Sequence, residues 1–204
     1  MGLISNGTTI FDAGALDSGI AKGAMTFIKK LTASSSANLT FHHGTSNVIL
    51  DSTYKEYIFI FNNIHLASNT PFSFQANVVG GADFNETITS TSFFGRQAED
   101  ASGAQLSYSG ANDQAQGTAF QRLATDQGTG NDENMCGTLH LFNPSSTTFV
   151  KHFISRCQAA QASTFSMDRL VGGYFNTTAA IDEIQFKAES GNIDAGTITL
   201  YGII

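Results

Sequence analysis

The sequence predicts an all-β fold, a two-sheet sandwich of jelly-roll type with an extended N-terminal arm. Three observations carry this reading. From Ala24 onward, short apolar-rich runs of strand length recur between Gly, Ser, Asn and Asp clusters. Several of these runs alternate with a period of two, and almost nothing keeps a helical period. About ten strands at such spacing fit two packed antiparallel sheets. The 204 residues suit one sizeable domain plus an arm, with the arm at 1–24 and the body at 25–204. Such a body is large enough to close a core without disulfide staples.

In residues 1–24, Gly, Asp and Ala dominate and the apolar positions have no firm period. An extended arm is expected there. A short helix over Ala13–Lys22 is the alternative, weakened by its glycines. The arm either packs on a neighbouring subunit or frays, and composition leaves both open. Ala24–Leu31 and Asn38–His42 read as strands around the Ser34-Ser35-Ser36 turn. Tyr54–Asn62 is apolar on both faces from Tyr57 to Phe61, which predicts a central strand buried on both sides. In Pro71–Val79, Phe72, Phe74, Ala76 and Val78 share one face, and Ser73, Gln75 and Asn77 share the other. Pro71 falls at the first residue, where a strand tolerates a missing N–H.

Glu86–Phe94 is a further β-prone run. The polar region from Gly95 to Glu133 is punctuated by short strands near Ala104–Tyr108 and Thr118–Leu123, and Ala124–Asn134 reads as its most exposed loop. Gly137–Phe142 and Thr147–Ser155 flank Asn143-Pro144-Ser145-Ser146, a hairpin with a turn of four residues. Leu139 and Leu141 point to one side of it, and Phe149 and Phe153 share a side of the second strand. Phe165–Phe175 is a strand with a bend expected at Gly172-Gly173. In Ile181–Ala188, Ile184, Phe186 and Ala188 point inward and Glu183, Gln185 and Lys187 outward. A turn over Gly191–Gly196 precedes a closing strand, Thr197–Ile204.

Composition narrows function by exclusion. Charged residues are only 13% of the chain and the net charge is −7, with ten Lys plus Arg and no basic run longer than Lys29-Lys30. Phosphate neutralisation therefore has no footprint, and neither nucleic acid nor an anionic membrane surface is an expected partner. No apolar run has the length of a membrane-spanning helix, and the first residues lack the charged and apolar regions of a secretory signal. The sequons at Asn6, Asn38, Asn85 and Asn176 follow from a composition rich in Asn, Ser and Thr.

The chemistry-bearing residues are scattered. His42 and His43 are strand neighbours and point to opposite faces, which disfavours a shared metal. His140 and His152 lie out of register on the predicted hairpin, and His65 is alone. The acidic pairs Glu99-Asp100, Asp132-Glu133 and Asp182-Glu183 suggest no cleft of the kind glycoside hydrolysis needs. Asn192–Gly196 lacks the ligand spacing of a calcium loop. No catalytic, cofactor-binding or metal residues are assigned, and no cofactor is expected. Cys136 and Cys157 read as two small buried thiols, because a turn of four residues would set Cys136 opposite Phe153; whether they pair stays open.

Four segments carry a resemblance: "FIKKLTASSSANLTF" (Phe27–Phe41), "LDSTYKEYIFIFNNIHLASN" (Leu50–Asn69), "HLFNPSSTTFVKHFISR" (His140–Arg156) and "AIDEIQFKAESGNIDAGTITLYGI" (Ala180–Ile203). In order and rough spacing they resemble a family of tailed-phage virion proteins of marine and cyanobacterial phages. Asp51-Ser52-Thr53-Tyr54 and the stretch from Gly196 to Ile203 are the most specific parts. The resemblance implies a non-enzymatic particle component with a β-sandwich, located in the virion. It implies other virion proteins, major capsid or tail proteins, as partners, and carries no catalytic residues. A capsid decoration protein is the preferred expectation, since the chain has no fibrous repeat, and a homo-oligomer is expected because open sandwich edges need cover. The alternatives are a tail or fibre component contacting the host, or a carbohydrate-binding module that presents Gly103–Gln114, Tyr108 and Ala124–Asn134 to a host-surface glycan.

Overall fold

The computed structural model describes residues 3–12, 15–16 and 23–204. Among the described residues there is no helix. The strands are β1 (Leu3–Ser5), β2 (Thr8–Asp12), β3 (Ala15–Leu16), β4 (Met25–Thr32), β5 (Leu39–His42), β6 (Glu56–Leu66), β7 (Thr70–Val78), β8 (Ile88–Ala98), β9 (Ala104–Tyr108), β10 (Ala115–Gly117), β11 (Gln121–Gln127), β12 (Met135–Phe142), β13 (Lys151–Ala160), β14 (Phe165–Phe175), β15 (Ile181–Ala188) and β16 (Ile193–Ile203).

Two sheets make the sandwich. The larger runs β10-β8-β14-β13-β12-β6-β16-β4, with β9 paired to β8, and the smaller runs β11-β7-β15-β5. Within them, β4-β16-β6-β12 and β5-β15-β7-β11 form a frame in which the chain steps between sheets at β4, β5, β6 and β7 in turn. That is jelly-roll connectivity. Two insertions, β8–β10 and β13–β14, extend only the first sheet, so it reaches nine strands against four.

The inward positions of both sheets interdigitate as an aromatic core. Phe41, Phe59, Phe61, Phe72, Phe74 and Phe186 are fully buried. The Phe186 ring lies 5.2 Å from Phe59 and 5.3 Å from Phe61, centroid to centroid. Edge-on and offset contacts of this kind add to the burial of each ring. In β15 the expected alternation is found, with Ile184, Phe186 and Ala188 buried and Glu183, Gln185 and Lys187 half-buried on the other side.

Several sequence expectations are corrected. The β12–β13 connection spans 143–150, not four residues, because Thr147–Val150 continue the loop and Phe149 is exposed. Cys136 consequently faces Gln158, and Gly137 faces Cys157. The two cysteines lie on opposite faces and are free. The β14 ladder passes through Gly172 and Gly173 without a register shift. Gly173 is needed for close approach instead, since a Cβ there would stand 2.7 Å from the Phe153 ring. The final strand begins at Ile193 rather than after Gly196, with bulges that let it start early.

Two burial expectations also change. β7 is buried on both faces, Ser73, Gln75 and Asn77 included. The cover is a strap from the β7–β8 and β10–β11 connections, held where the Gln75 amide donates to the carbonyls of Glu86 (3.0 Å) and Ala119 (3.1 Å). Conversely, within Tyr57–Phe61 β6 buries only Tyr57, Phe59 and Phe61, while Ile58 and Ile60 are half-buried on the outer face of the large sheet.

In the arm, β1, β2 and β3 form a separate antiparallel sheet. Asn6 (φ 47°) and Gly7 (φ 78°) join Ser5 to Thr8 as a two-residue turn with both φ values positive. This is the hairpin turn that Asn-Gly favours. Most of the alternative helix, positions 13–14 and 17–22, lies outside the described residues.

Candidate functional site

The larger sheet outgrows the smaller one at the β8 and β14 end. There the space between the sheets is lined by polar groups, and the chain's few arginines gather. Only Arg96, Arg122, Arg156 and Arg169 occur, and three of them, Arg96, Arg122 and Arg169, line one cavity of about 280 Å³.

Arg169 is the innermost. It lies on β14 beside Phe94 of β8 and Cys157 of β13, on the inward parity shared by Met167 and Val171. It is 2% exposed. One terminal nitrogen donates to Ser92 Oγ (2.9 Å) and the other to Thr125 Oγ1 (2.9 Å), so the guanidinium bridges the two sheets. Thr125 can turn inward because β11 shifts register on either side of Ala124. The Arg169 Nε is buried and has no hydrogen-bond partner. Burial pulls the guanidinium pKa down, while the nearby Asp126 carboxylate opposes this. Among the described residues Arg169 makes no ion pair.

The other two arginines sit nearer the rim. Arg96 lies 4.6 Å over the Phe165 ring, a contact that leaves its N–H edge free to turn to a ligand. Arg122 is held by Glu189 through two bonds, of 2.5 Å and 2.8 Å, and by Asn112 Oδ1 at 3.2 Å. Asp126 is exposed at the mouth in a left-handed backbone conformation (φ 57°). With Asp126 and Glu189 set against three guanidiniums, the cavity keeps one uncompensated positive charge. The arrangement offers donors and charge, and places no nucleophile beside a base.

The residues singled out in the sequence are mostly dispersed. His42 pairs with Glu183 (3.1 Å), His43 Nδ1 accepts from the Leu50 N–H (3.1 Å), and His65 contacts the Gly130 carbonyl (3.1 Å). His140 pairs with Glu56, and His152 packs on Tyr174. Among the described residues no three His, Cys, Asp or Glu side chains cluster as metal ligands. Asp100 accepts from the Ser102 N–H, and Glu133 from the Gly130 N–H, both as local turn bonds. Gly103–Gln114 and Ala124–Asn134 do meet: Ser109, Ala111 and Asn112 from the first and Thr125 and Asp126 from the second line the arginine cavity. Tyr108 is exposed, and its hydroxyl donates to Asp113. Arg169 had one signal in the sequence, a cation on the apolar parity of "SMDRLVGGYF".

The fold and cavity thus define a jelly-roll sandwich with a cationic pocket at its open flank. No family model, curated protein or solved structure matches the chain.

Proposed function

We propose that this chain is a non-enzymatic structural protein of a tailed-phage particle, a decoration protein that sits on the capsid surface. The observation that carries the reading is the small N-terminal sheet standing outside both sheets of the jelly-roll body, with Leu3 and Ile4 exposed. A sheet of this size is marginal in water by itself. Its apolar side chains need a second surface, and a neighbouring particle subunit supplies one. The low-charge surface and the resemblance of four segments to tailed-phage virion proteins support the same reading. Fold alone does not, since jelly rolls serve many roles. Immunogold electron microscopy of the source particles tests it: label is expected over heads. Label on tails alone would replace it with the host-contact reading, which the meeting of two polar loops at the arginine cavity favours.

The body itself is a homo-oligomer in this proposal, and the occupant of the large sheet's outer face is a second copy. Phe27, Tyr201, Ile58, His140 and Ile154 form one cross-strand row there. Two of its charges are already paired within the chain, Arg156 with Asp168 and His140 with Glu56, which leaves Lys30 on the edge strand β4 as an exposed unpaired charge of that face among the described residues. Seven strands about 4.8 Å apart, each about seven residues of 3.4 Å, give a face of about 800 Å², what a standard interface takes from each partner. Burial there would also complete the two-sided cover that the sequence of β6 anticipates. Sedimentation should show a dimer or higher assembly that Ile154→Lys dissociates. A monomer at all concentrations would end this part of the proposal.

A further inference from the structure

We propose that the cavity between β8, β14 and β11 is a binding site for one oxyanion group, a carboxylate or sulfate borne by a small ligand. Arg169 would hold it from the floor and Arg96 and Arg122 from the walls. This inference does not depend on where in a particle the protein sits.

Four observations carry it. Arg169 is buried, charged and without a carboxylate partner, and its Nε donor has no acceptor. Buried donors are nearly always satisfied, and an orphan in a cavity wall marks where an acceptor belongs. The chain also knows how to neutralise an arginine: Arg156 is paired by Asp168 and Arg122 by Glu189, each through two nitrogens. Among the described residues Arg169 and Arg96 are the exceptions, and Arg169 is the buried one. Next, three of four arginines are concentrated in one small space in a chain of net charge −7. Like charges in a partly dry cavity repel, and an anion removes that cost. Guanidinium groups are also the donors best matched to planar and tetrahedral oxyanions. Last, the volume of about 280 Å³ lies at the small end of ligand cavities. That suits an acidic monosaccharide or a free anion, not a polymer.

Asp126 at the mouth competes for the same positive charge. It therefore gives the test its sign. Calorimetric titration of the intact protein would use four probes at constant ionic strength: glucuronate, a sulfated monosaccharide, inorganic sulfate and inorganic phosphate. At least one should bind saturably and raise Tm. Asp126→Asn should tighten that binding several-fold, Arg96→Ala should weaken it about tenfold, the scale of one charge-assisted hydrogen bond, and Arg156→Ala on the far face should leave it unchanged. Glucuronate binding alone identifies a carboxylated ligand. A sulfated sugar that outbinds inorganic sulfate identifies a sulfated one, and equal binding of the two identifies a site for the free anion. Arg169→Met should abolish binding, and if that variant does not fold, the Asp126 and Arg96 variants decide. No saturable binding by any probe, or binding indifferent to both Asp126→Asn and Arg96→Ala, overturns the proposal.

Discussion

The space between the two sheets has a dry half and a polar half. Where β6, β12 and β16 face β7, β15 and β5, six phenylalanines fill it. Where β8 and β14 face β11, the inward residues include Ser90, Ser92, Arg169, Thr125 and Gln121 beside Met167 and Val171, and the polar ones are buried and mostly bonded to one another. The backbone scaffold is the same in both halves, so side-chain chemistry makes the difference. Opposed strands let rings interlock at the centre. At the flank the small sheet ends at β11 and the large one continues, so the gap must be closed by loops and long polar side chains. Hydrophobic packing makes the first half stable, and the second half keeps a cavity.

The contrast is sharpest at Phe186. It touches five other rings of the core, and Phe186→Ala should cost ~3–5 kcal/mol in denaturant unfolding, from lost burial plus a residual cavity. A loss under about 1 kcal/mol would mean the centre is loosely packed. The next largest effect falls where sheet backbone and ring meet. Gly173→Ala pushes a Cβ to 2.6 Å from the Thr89 carbonyl, whereas the nearest atom to a Cβ at Gly172 is 3.9 Å away. The first change should lower stability by about 1–3 kcal/mol, and the second should be neutral or slightly stabilising. Equal effects would show that the close approach of Phe153 is not what requires Gly173.

Two smaller tests probe burial. The Cys157 thiol is pushed up to about 12 by burial, while Cys136 is half-exposed beside Asn62 and Asn63. A thiol reagent at pH 8 should modify Cys136 alone in the native protein, and both cysteines after denaturation. Modification of both at one rate would contradict the assigned faces. Glu86, in the strap, has its pKa raised, first by burial, with Lys151 opposing. A raised acid favours the folded state below its ordinary value near 4.5 and loses that contribution as pH rises through the folded value. Glu86→Gln should therefore flatten the pH dependence of Tm above that point and raise Tm slightly at pH 7.

Much of the fold was legible because strand parity is a local signal. Phe165–Phe175 and Ile181–Ala188 match β14 and β15 to the residue. Boundaries failed where polar or small strand residues look like loop, as in exposed Gln158 and half-buried Ala160 at the end of β13. Others failed where loop residues look like strand, as in Phe149. The Asn6-Gly7 hairpin carried a legible turn signal that the glycine-rich composition around it outweighed. The arginine cavity was not legible. It joins Ser92, Thr125 and Arg169 across two sheets, and only the register of β8, β14 and β11 brings them together.

The contrast between the halves turns on whether Arg169 holds the flank together or is kept there for a ligand. The direct measurement is the unfolding free energy of Arg169→Met without added oxyanion. An apolar side chain of similar volume relieves the cost of a buried unpaired charge, so the variant should be as stable as the natural chain or more so. A loss of about 3 kcal/mol or more would show that the guanidinium bridge between Ser92 and Thr125 holds the flank together, and would contradict the account that the fold does not need Arg169.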